Sequence, residues 1–149
     1  MSITFRGATE ADVKDFVDLL KDDEIGAARE TAAAGVYVDV FRRVAADPMA
    51  VIVVGETDGR VVAGYQLNAI EGLSLNGLRR GQIEDVRVAS DLRGQGIGKL
   101  LIEDAFERAR GLGCRAVQLV AHKDREATER FYRGVGFSVS HNGFKYSLD

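Results

Sequence analysis

The chain is 149 residues long with 46% hydrophobic and 29% charged residues, which suits one domain with its own hydrophobic core. A net charge of −3 argues against non-specific binding to nucleic acid or an anionic membrane, and no apolar run approaches membrane-spanning length. The start, Met1-Ser2-Ile3-Thr4-Phe5-Arg6, lacks the regions of a secretory signal, and a single cysteine, Cys114, cannot form an internal disulfide, so a cytoplasmic protein is expected. Charge drifts along the chain. Residues 1–60 carry 12 acidic and 7 basic groups, whereas residues 61–149 carry 11 acidic and 13 basic groups.

Ile3 to Gly7 reads as a short strand. Thr9-Glu10-Ala11-Asp12 then resembles a capping box, and Val13, Phe16, Val17 and Leu20 fall on one helical face. Spacing predicts a second helix over Ala28 to Ala46 through Val36/Tyr37, Val40/Phe41 and Val44, with Gly35 as its weak point. Val51-Ile52-Val53-Val54, the Asp58-Gly59 turn and Val61 to Ile70 read as a hairpin. Gly72 to Gly81 is a loop carrying Leu73, Leu75 and Leu78, and Gln82 to Ala89 is the next strand. A glycine-rich turn and a helix to about Gly111 follow. Ala116 to Ala121 is a continuous apolar run, which predicts a strand buried on both faces. A short helix over Asp124 to Gly134 comes next. Phe137 to His141 and Phe144 to Leu148, joined by Asn142-Gly143, predict a closing hairpin. The order β-α-α-β-β-β-α-β-α-β-β describes a single α/β domain over residues 1–149, a mixed sheet with helices on both faces.

The densest information lies in Ile83-Glu84-Asp85-Val86-Arg87-Val88 and Leu92-Arg93-Gly94-Gln95-Gly96-Ile97-Gly98-Lys99-Leu100-Leu101. A β-rich segment ends in a glycine-rich turn that opens into an amphipathic helix. Backbone N–H groups clear of side chains then point outward at the positive end of a helix dipole, an arrangement suited to a phosphate or pyrophosphate. Arg93 and Lys99 add cationic charge. The plainer alternative is a strand-to-helix turn with solvated cations.

These residues resemble the GNAT acetyltransferases, and the resemblance runs nearly end to end. Arg93-Gly94-Gln95-Gly96-Ile97-Gly98 is similar to that family's Arg/Gln-x-x-Gly-x-Gly/Ala acyl-CoA motif. Phe131-Tyr132-Arg133-Gly134-Val135-Gly136-Phe137 is similar to its later aromatic-Tyr-x-x-x-Gly-Phe motif, and Ala8-Thr9-Glu10-Ala11-Asp12 to its usual opening of the first helix. The resemblance implies the GNAT fold, with a mostly antiparallel sheet, and acetyl-CoA as acyl donor, with no metal. Amides near Arg93 to Gly98 would hold the pyrophosphate and Arg93 and Lys99 would add charge. The pantetheine arm would lie beside Val86, Arg87 and Val88 as an extra strand.

Acetyl transfer to an amine poses two proton problems. A free alkylammonium has a pKa near 10, so making it neutral at pH 7 costs roughly 4 kcal/mol. A base must take that proton, and an acid should meet the departing thiolate. Tyr132 is the expected acid, since its family counterpart sits near the thioester sulfur; beside it, Phe131 points about 100° away on a helix. The run Ala116 to Ala121 has no carboxylate, which leaves Glu84, acting through water, as the expected base. Strand alternation puts Glu84, Val86 and Val88 on one face and Asp85 and Arg87 on the other, unless a bulge intervenes. Bulges are common there in the family, so Asp85 stays an alternative, as does a plain ion-paired role for Glu84. His122 is a further possible relay, and Cys114 is expected to be a core thiol, which favours direct transfer in a ternary complex over a covalent intermediate. Many relatives carry an Asn seven residues before the Tyr, where this chain has Arg125; Asp124 is the candidate substitute. Arg125, Arg130 and Arg133 are expected to be solvated.

In the family the acceptor is selected by the first two helices and the loop before the cofactor strand. Asp22 to Tyr37, with Asp22, Asp23, Glu24 and Glu30, suits a cationic amine, whereas Gly72 to Arg80 adds leucines, Arg79 and Arg80, which suit an apolar or anionic group. The Ile83 to Ile102 segment is also similar to glucosamine-6-phosphate N-acetyltransferases. A small-molecule primary amine is the expected acceptor, with a protein or peptide amine, or a non-catalytic acyl-CoA-binding module, as alternatives. Leu73, Leu75 and Leu78 need cover, and a homodimer would provide it.

Overall fold

A computed structural model describes every residue except Met1, Asp124 and Arg125. The described residues group into two compact units, 1–118 and 119–149. In the first unit, β1 (Thr4–Gly7) leads through a 3-10 turn to α1 (Val13–Leu20), α2 (Glu24–Arg29) and α3 (Ala34–Ala45). Then come β2 (Ala50–Thr57), β3 (Arg60–Ile70), a single turn α4 (Ser74–Gly77), β4 (Arg80–Val88), α5 (Ile97–Gly111) and β5 (Ala116–Gln118). The five strands lie in the order β1-β2-β3-β4-β5, antiparallel except for the parallel β4–β5 pair.

The hairpin turn Asp58-Gly59 forms as its sequence demands, with both residues at positive φ, 50° and 75°. Val53, Val54, Val62, Tyr65 and Leu67 are completely buried in β2 and β3. One face of the sheet takes α1, whose Val13, Phe16, Val17 and Leu19 are buried. Gly64 permits this approach, because a Cβ there would lie 2.7 Å from the Phe16 ring. The other face takes α5 through Ile97, Leu101, Ile102, Ala105 and Ala109. There the Tyr65 hydroxyl donates to Asp104 (2.6 Å), which also accepts from Arg108 (2.8 Å), and Arg108 reaches the Phe5 carbonyl (3.3 Å). Three elements are thereby tied together around one buried phenol.

Three expectations need correction. The single helix over Ala28 to Ala46 is two helices: Asp23 caps α2 by accepting from the Gly26 N–H, and Glu30 leaves helical backbone at ψ 81° before α3 starts after Ala33. The strand over Ala116 to Ala121 is only Ala116–Gln118, and it is not buried on both faces, since Ala116 and Gln118 are exposed. It pairs with β4 along one edge, and no further strand pairs with its other edge among the described residues.

The second unit contains α6 (Glu126–Gly134), ended by Phe137 N–H donating to the Tyr132 carbonyl (3.0 Å) with Gly136 at φ 106°. The closing hairpin over Phe137 to His141 and Phe144 to Leu148 is not formed among the described residues, where Phe144, Tyr146 and Leu148 are about nine-tenths exposed. An Asn-Gly pair sets hairpin register, but a lone hairpin holds only with a further strand or a buried face. The expected helix start at Asp124, and the Arg125 position, lie outside the described residues.

Asp12, 7% exposed, accepts two bonds from Arg6 (2.7 and 3.0 Å) and one from the Thr9 N–H (2.7 Å), the latter half of the expected capping box. The Arg6 guanidinium, helped by Thr9 and opposed by burial, lowers its carboxyl from 3.8 to about 2. A depressed carboxylate stabilises the fold above its unfolded value and loses that contribution as pH falls through its folded value, roughly 2 kcal/mol here. Asp12→Asn therefore costs about 2 kcal/mol at neutral pH and flattens the acid limb between about pH 4 and 2. Urea unfolding at stepped pH checks this; an unchanged acid limb contradicts it.

Candidate functional site

β4 carries one extra residue where it passes β3. Ile83 and Glu84 pair with Leu67 and Gln66, and Arg87 and Val88 pair with Gly64 and Ala63, so Asp85 and Val86 together oppose Tyr65. Asp85 sits at φ 57°, in the left-handed region that costs a non-glycine residue about 1–2 kcal/mol. The bulge overturns strict alternation. Glu84 and Arg87 share the face of Gln66 and Gly64, on which Phe16 packs, while Val88 turns to the opposite face with Ile83.

The other edge of β4 is largely unladdered. Its parallel pairing with β5 covers only Arg80↔Ala116, Gly81↔Val117 and Gln82↔Gln118. From Ile83 to Val88, the backbone groups on that side lie beyond the ladder, and such groups template an added extended chain. This edge runs directly into the glycine turn. Ala89 donates to the Val62 carbonyl (2.8 Å), and a 3-10 turn, Ser90–Leu92, follows.

That 3-10 turn is held from two sides. Asp22, just past α1, accepts from the Ser90 N–H (2.8 Å) and hydroxyl (3.0 Å). Asp91 takes a two-pronged contact from Arg60 of β3 (2.8 and 2.9 Å). Sequence reasoning missed both anchors, which join residues 68 and 31 positions apart. Beyond them, Gly94 and Gly96 have φ 78° and 81°, and a Cβ at either would meet nothing within 4 Å. Gly96 caps α5, leaving the first N–H groups of that helix without intrahelical acceptors. Arg93, Gly94, Gln95, Gly96 and Lys99 are exposed, Gly98 is half-exposed and Ile97 is buried as the helix anchor. The turn thus gathers open donors and two cations at one helix start. By contrast, a cleft of about 440 Å3 beside α1 is lined by Asp15, Asp18 and Asp22 along with Arg60, a poor host for an anion.

The two neighbouring carboxylates differ. Glu84 is exposed and accepts from Gln82 (3.1 Å). Asp85 is exposed as a residue, yet burial of its carboxyl raises it above the ordinary aspartate value, with Glu30 adding to the rise and Arg87 opposing it. Glu30 in turn accepts from the Tyr37 hydroxyl of α3 (3.1 Å). Arg87 donates to the Val86 carbonyl (3.0 Å), and its buried Nε has no hydrogen-bond partner among the described residues. Cys114 is buried, which pushes its thiol up. No group of three or more His, Cys, Asp or Glu among the described residues is placed to hold a metal ion.

In the second unit, Phe131 and Tyr132 are both half-buried, with ring centroids 5.1 Å apart edge to face, and Tyr132 meets Phe137 at 5.6 Å in the same manner. His122 is exposed, and His141 Nδ1 lies 2.6 Å from the Ser140 hydroxyl.

The family model of the acetyltransferase (GNAT) family matches residues 14–137. Glucosamine 6-phosphate N-acetyltransferase of Trypanosoma brucei brucei is 34% identical over 90 residues, 60% of this chain and 59% of that protein. Aminoalkylphosphonate N-acetyltransferase of Salmonella typhimurium is 35% identical over 68 residues, 46% of this chain and 44% of that protein. The matches thus span about half the length of these curated relatives. A solved structure of a Bacillus halodurans C-125 protein described as a transcriptional regulator aligns with a TM-score of 0.93 at 36% identity, covering 99% of this chain and 100% of that one.

The crowded bulge gives a direct test. Asp85 titrates above the ordinary aspartate value of 3.8, and Arg87→Ala, by removing the opposing cation, moves it higher still. Carbon-detected NMR titration reads both; an Asp85 at or below 3.8 contradicts the assignment of its surroundings.

Proposed function

The chain belongs to the GNAT acetyltransferase family, and on that premise we propose that it moves the acetyl group of acetyl-CoA to a primary amine of a small molecule, directly, in a ternary complex. The observation that carries this reading is the unladdered β4 edge running into the glycine turn. The residues fit acetyl-CoA on both counts. Open N–H groups and cations of Arg93, Gly94, Gln95, Gly96, Ile97, Gly98 and Lys99 would hold its pyrophosphate, and the backbone of Val86, Arg87 and Val88 would pair with its pantetheine arm. When bound, acetyl-CoA supplies an activated acetyl thioester.

In this reading the chain's own groups manage the protons. Glu84, through water, takes the ammonium proton and frees the nitrogen lone pair for the acetyl carbonyl carbon. The C–N bond forms, the C–S bond breaks, and the Tyr132 hydroxyl gives its proton to the departing sulfur; the acylated nitrogen then releases its second surplus proton to solvent water, from which the Tyr132 phenolate is reprotonated. Asp85 is the second carboxylate at the bulge, and its raised proton affinity makes it the alternative base. The buried, poorly acidic Cys114 favours direct transfer over an acyl-enzyme, because the thiolate is the nucleophilic form. Glu30 near Asp85 supports a cationic acceptor. The same reading has a cytoplasmic enzyme whose exposed Leu73 and Leu75 pair two copies.

Free-thiol release from acetyl-CoA across a panel of small amines and N-terminal peptides tests the function. Turnover with a small amine is expected; acetyl-CoA binding without turnover of any amine would replace the transferase with a binding module. Gly96→Glu places a bulky anion at a left-handed position, at a folding cost of about 1–2 kcal/mol, and should weaken acetyl-CoA binding at least tenfold. Calorimetry that finds unchanged affinity would remove the pyrophosphate assignment. Tyr132→Phe should lower kcat on the order of 100-fold while leaving acetyl-CoA affinity nearly intact. Glu84→Gln should do likewise, whereas loss on Asp85→Asn alone would move the base to Asp85.

A further inference from the structure

On the sheet face shared with Phe16, three strands far apart in sequence place amide side chains in register. Asn68 of β3 pairs with Gln82 of β4, which pairs with Gln118 of β5, forming one cross-strand row. Gln66 and Glu84 form the adjoining row. The side chains bond along and across the strands: Gln66 Nε2 donates to Asn68 Oδ1 (2.8 Å), Gln82 Nε2 to Glu84 Oε1 (3.1 Å), and Gln118 Nε2 to Gln82 Oε1 (2.8 Å). Gln66, Asn68 and Gln82 are half-buried, while Glu84 and Gln118 are exposed.

This is an unusual choice for a face that merely meets water. Asn is depleted in strands, and a solvated strand face is ordinarily furnished with charges or β-branched residues. Here four amides surround one carboxylate. Each amide nitrogen keeps a second N–H beyond the bonds just named, and each amide oxygen has two lone pairs. Such a surface donates and accepts at once, as a hydroxyl group does. Lys and Arg are missing from both rows, with Arg80 and Arg87 of β4 flanking them on the same face. The lone carboxylate, Glu84, supplies one negative charge beside the β4 bulge.

We propose that this five-residue floor is the acceptor subsite and that it takes a hydroxyl-rich primary amine, of the amino-sugar class, with its ammonium toward Glu84 and its hydroxyls on the amides. The proposal rests on the transferase reading above and adds to it the class of acceptor. The internal hydrogen bonds pre-set the amides, so little side-chain freedom remains to be lost when the hydroxyls arrive. An acceptor that is merely apolar would leave those amide groups unpaired, and sites built on buried or half-buried polar groups discriminate against such analogues.

The test compares glucosamine with cyclohexylamine, matched six-membered rings with and without hydroxyls. In Gln82→Leu, kcat/KM for glucosamine should fall about tenfold, while that for cyclohexylamine stays within about twofold. Comparing each amine with itself across the two proteins cancels the difference in amine basicity. Gln118→Ala, at an exposed position, should show the same selective loss to a smaller degree, and acetyl-CoA affinity should be unchanged in both variants. Equal losses for the two amines, or none for either, overturn the floor as a hydroxyl subsite. Saturation-transfer NMR of glucosamine with the CoA-loaded chain separates the two levels of inference. Glucosamine bound, and lost in Gln82→Leu, with no transfer to any amine supports the floor and overturns the transferase. Transfer to other amines with no glucosamine binding overturns the floor alone.

Discussion

The one-residue bulge at Asp85 and Val86 sets the arrangement of everything around it. By letting two residues of β4 oppose Tyr65 alone, it turns Glu84 and Arg87 onto the same face, two strand positions apart on the β3 side. It sits on the stretch of β4 that has left its ladder with β5, so one short segment offers open backbone on its edge and acidic side chains beside it. A strand without the bulge would put Glu84 and Arg87 on opposite faces and run its alternation straight through to Ala89. The strain at Asp85, a left-handed aspartate, is held by well-packed neighbours: Tyr65 and Leu67 are completely buried and Ile83 nearly so. Local strain of this kind persists where surrounding structure over-determines it, and it gathers at functional sites.

The second requirement is that the glycine turn stay in place while its amides remain unused. Asp22 on Ser90 and Arg60 on Asp91 meet that requirement from opposite sides. Arg60 and Asp91 are each more than half exposed, and exposed ion pairs contribute little to stability, so their effect is on position. Positioning is what the proposed pyrophosphate site needs, because donors fixed in advance lose no freedom when an anion arrives. Gly94 and Gly96 then supply a backbone path that other residues would adopt only under strain.

Local chemistry was legible in the sequence; register was not. Asp58-Gly59, Thr9 to Asp12 and Gly94-Gln95-Gly96 announce themselves because the conformation they need is dictated by the residues themselves. The helix over Ala28 to Ala46 misled because its apolar spacing continues across Glu30, where Asp23 capping and the backbone of Glu30 end one helix early. The bulge at Asp85 is invisible to alternation, since it depends on where β3 places Gly64 and Gln66. The same holds for the amide floor, whose Asn68, Gln82 and Gln118 meet only through strand pairing. Asn142-Gly143 signals a turn by its residue types, yet neither turn nor ladder forms there among the described residues. Tyr132 is singled out by its motif and lies on α6, whereas the hydrogen bond that Glu84 accepts from Gln82 comes from the structure.

The most direct measurement is a crystal structure of the chain with CoA. The pyrophosphate is expected within hydrogen-bonding distance of the N–H groups between Gly94 and Lys99, and the pantetheine arm paired with the β4 backbone between Ile83 and Val88. A CoA bound elsewhere, or one that leaves that edge of β4 unpaired, would contradict that placement.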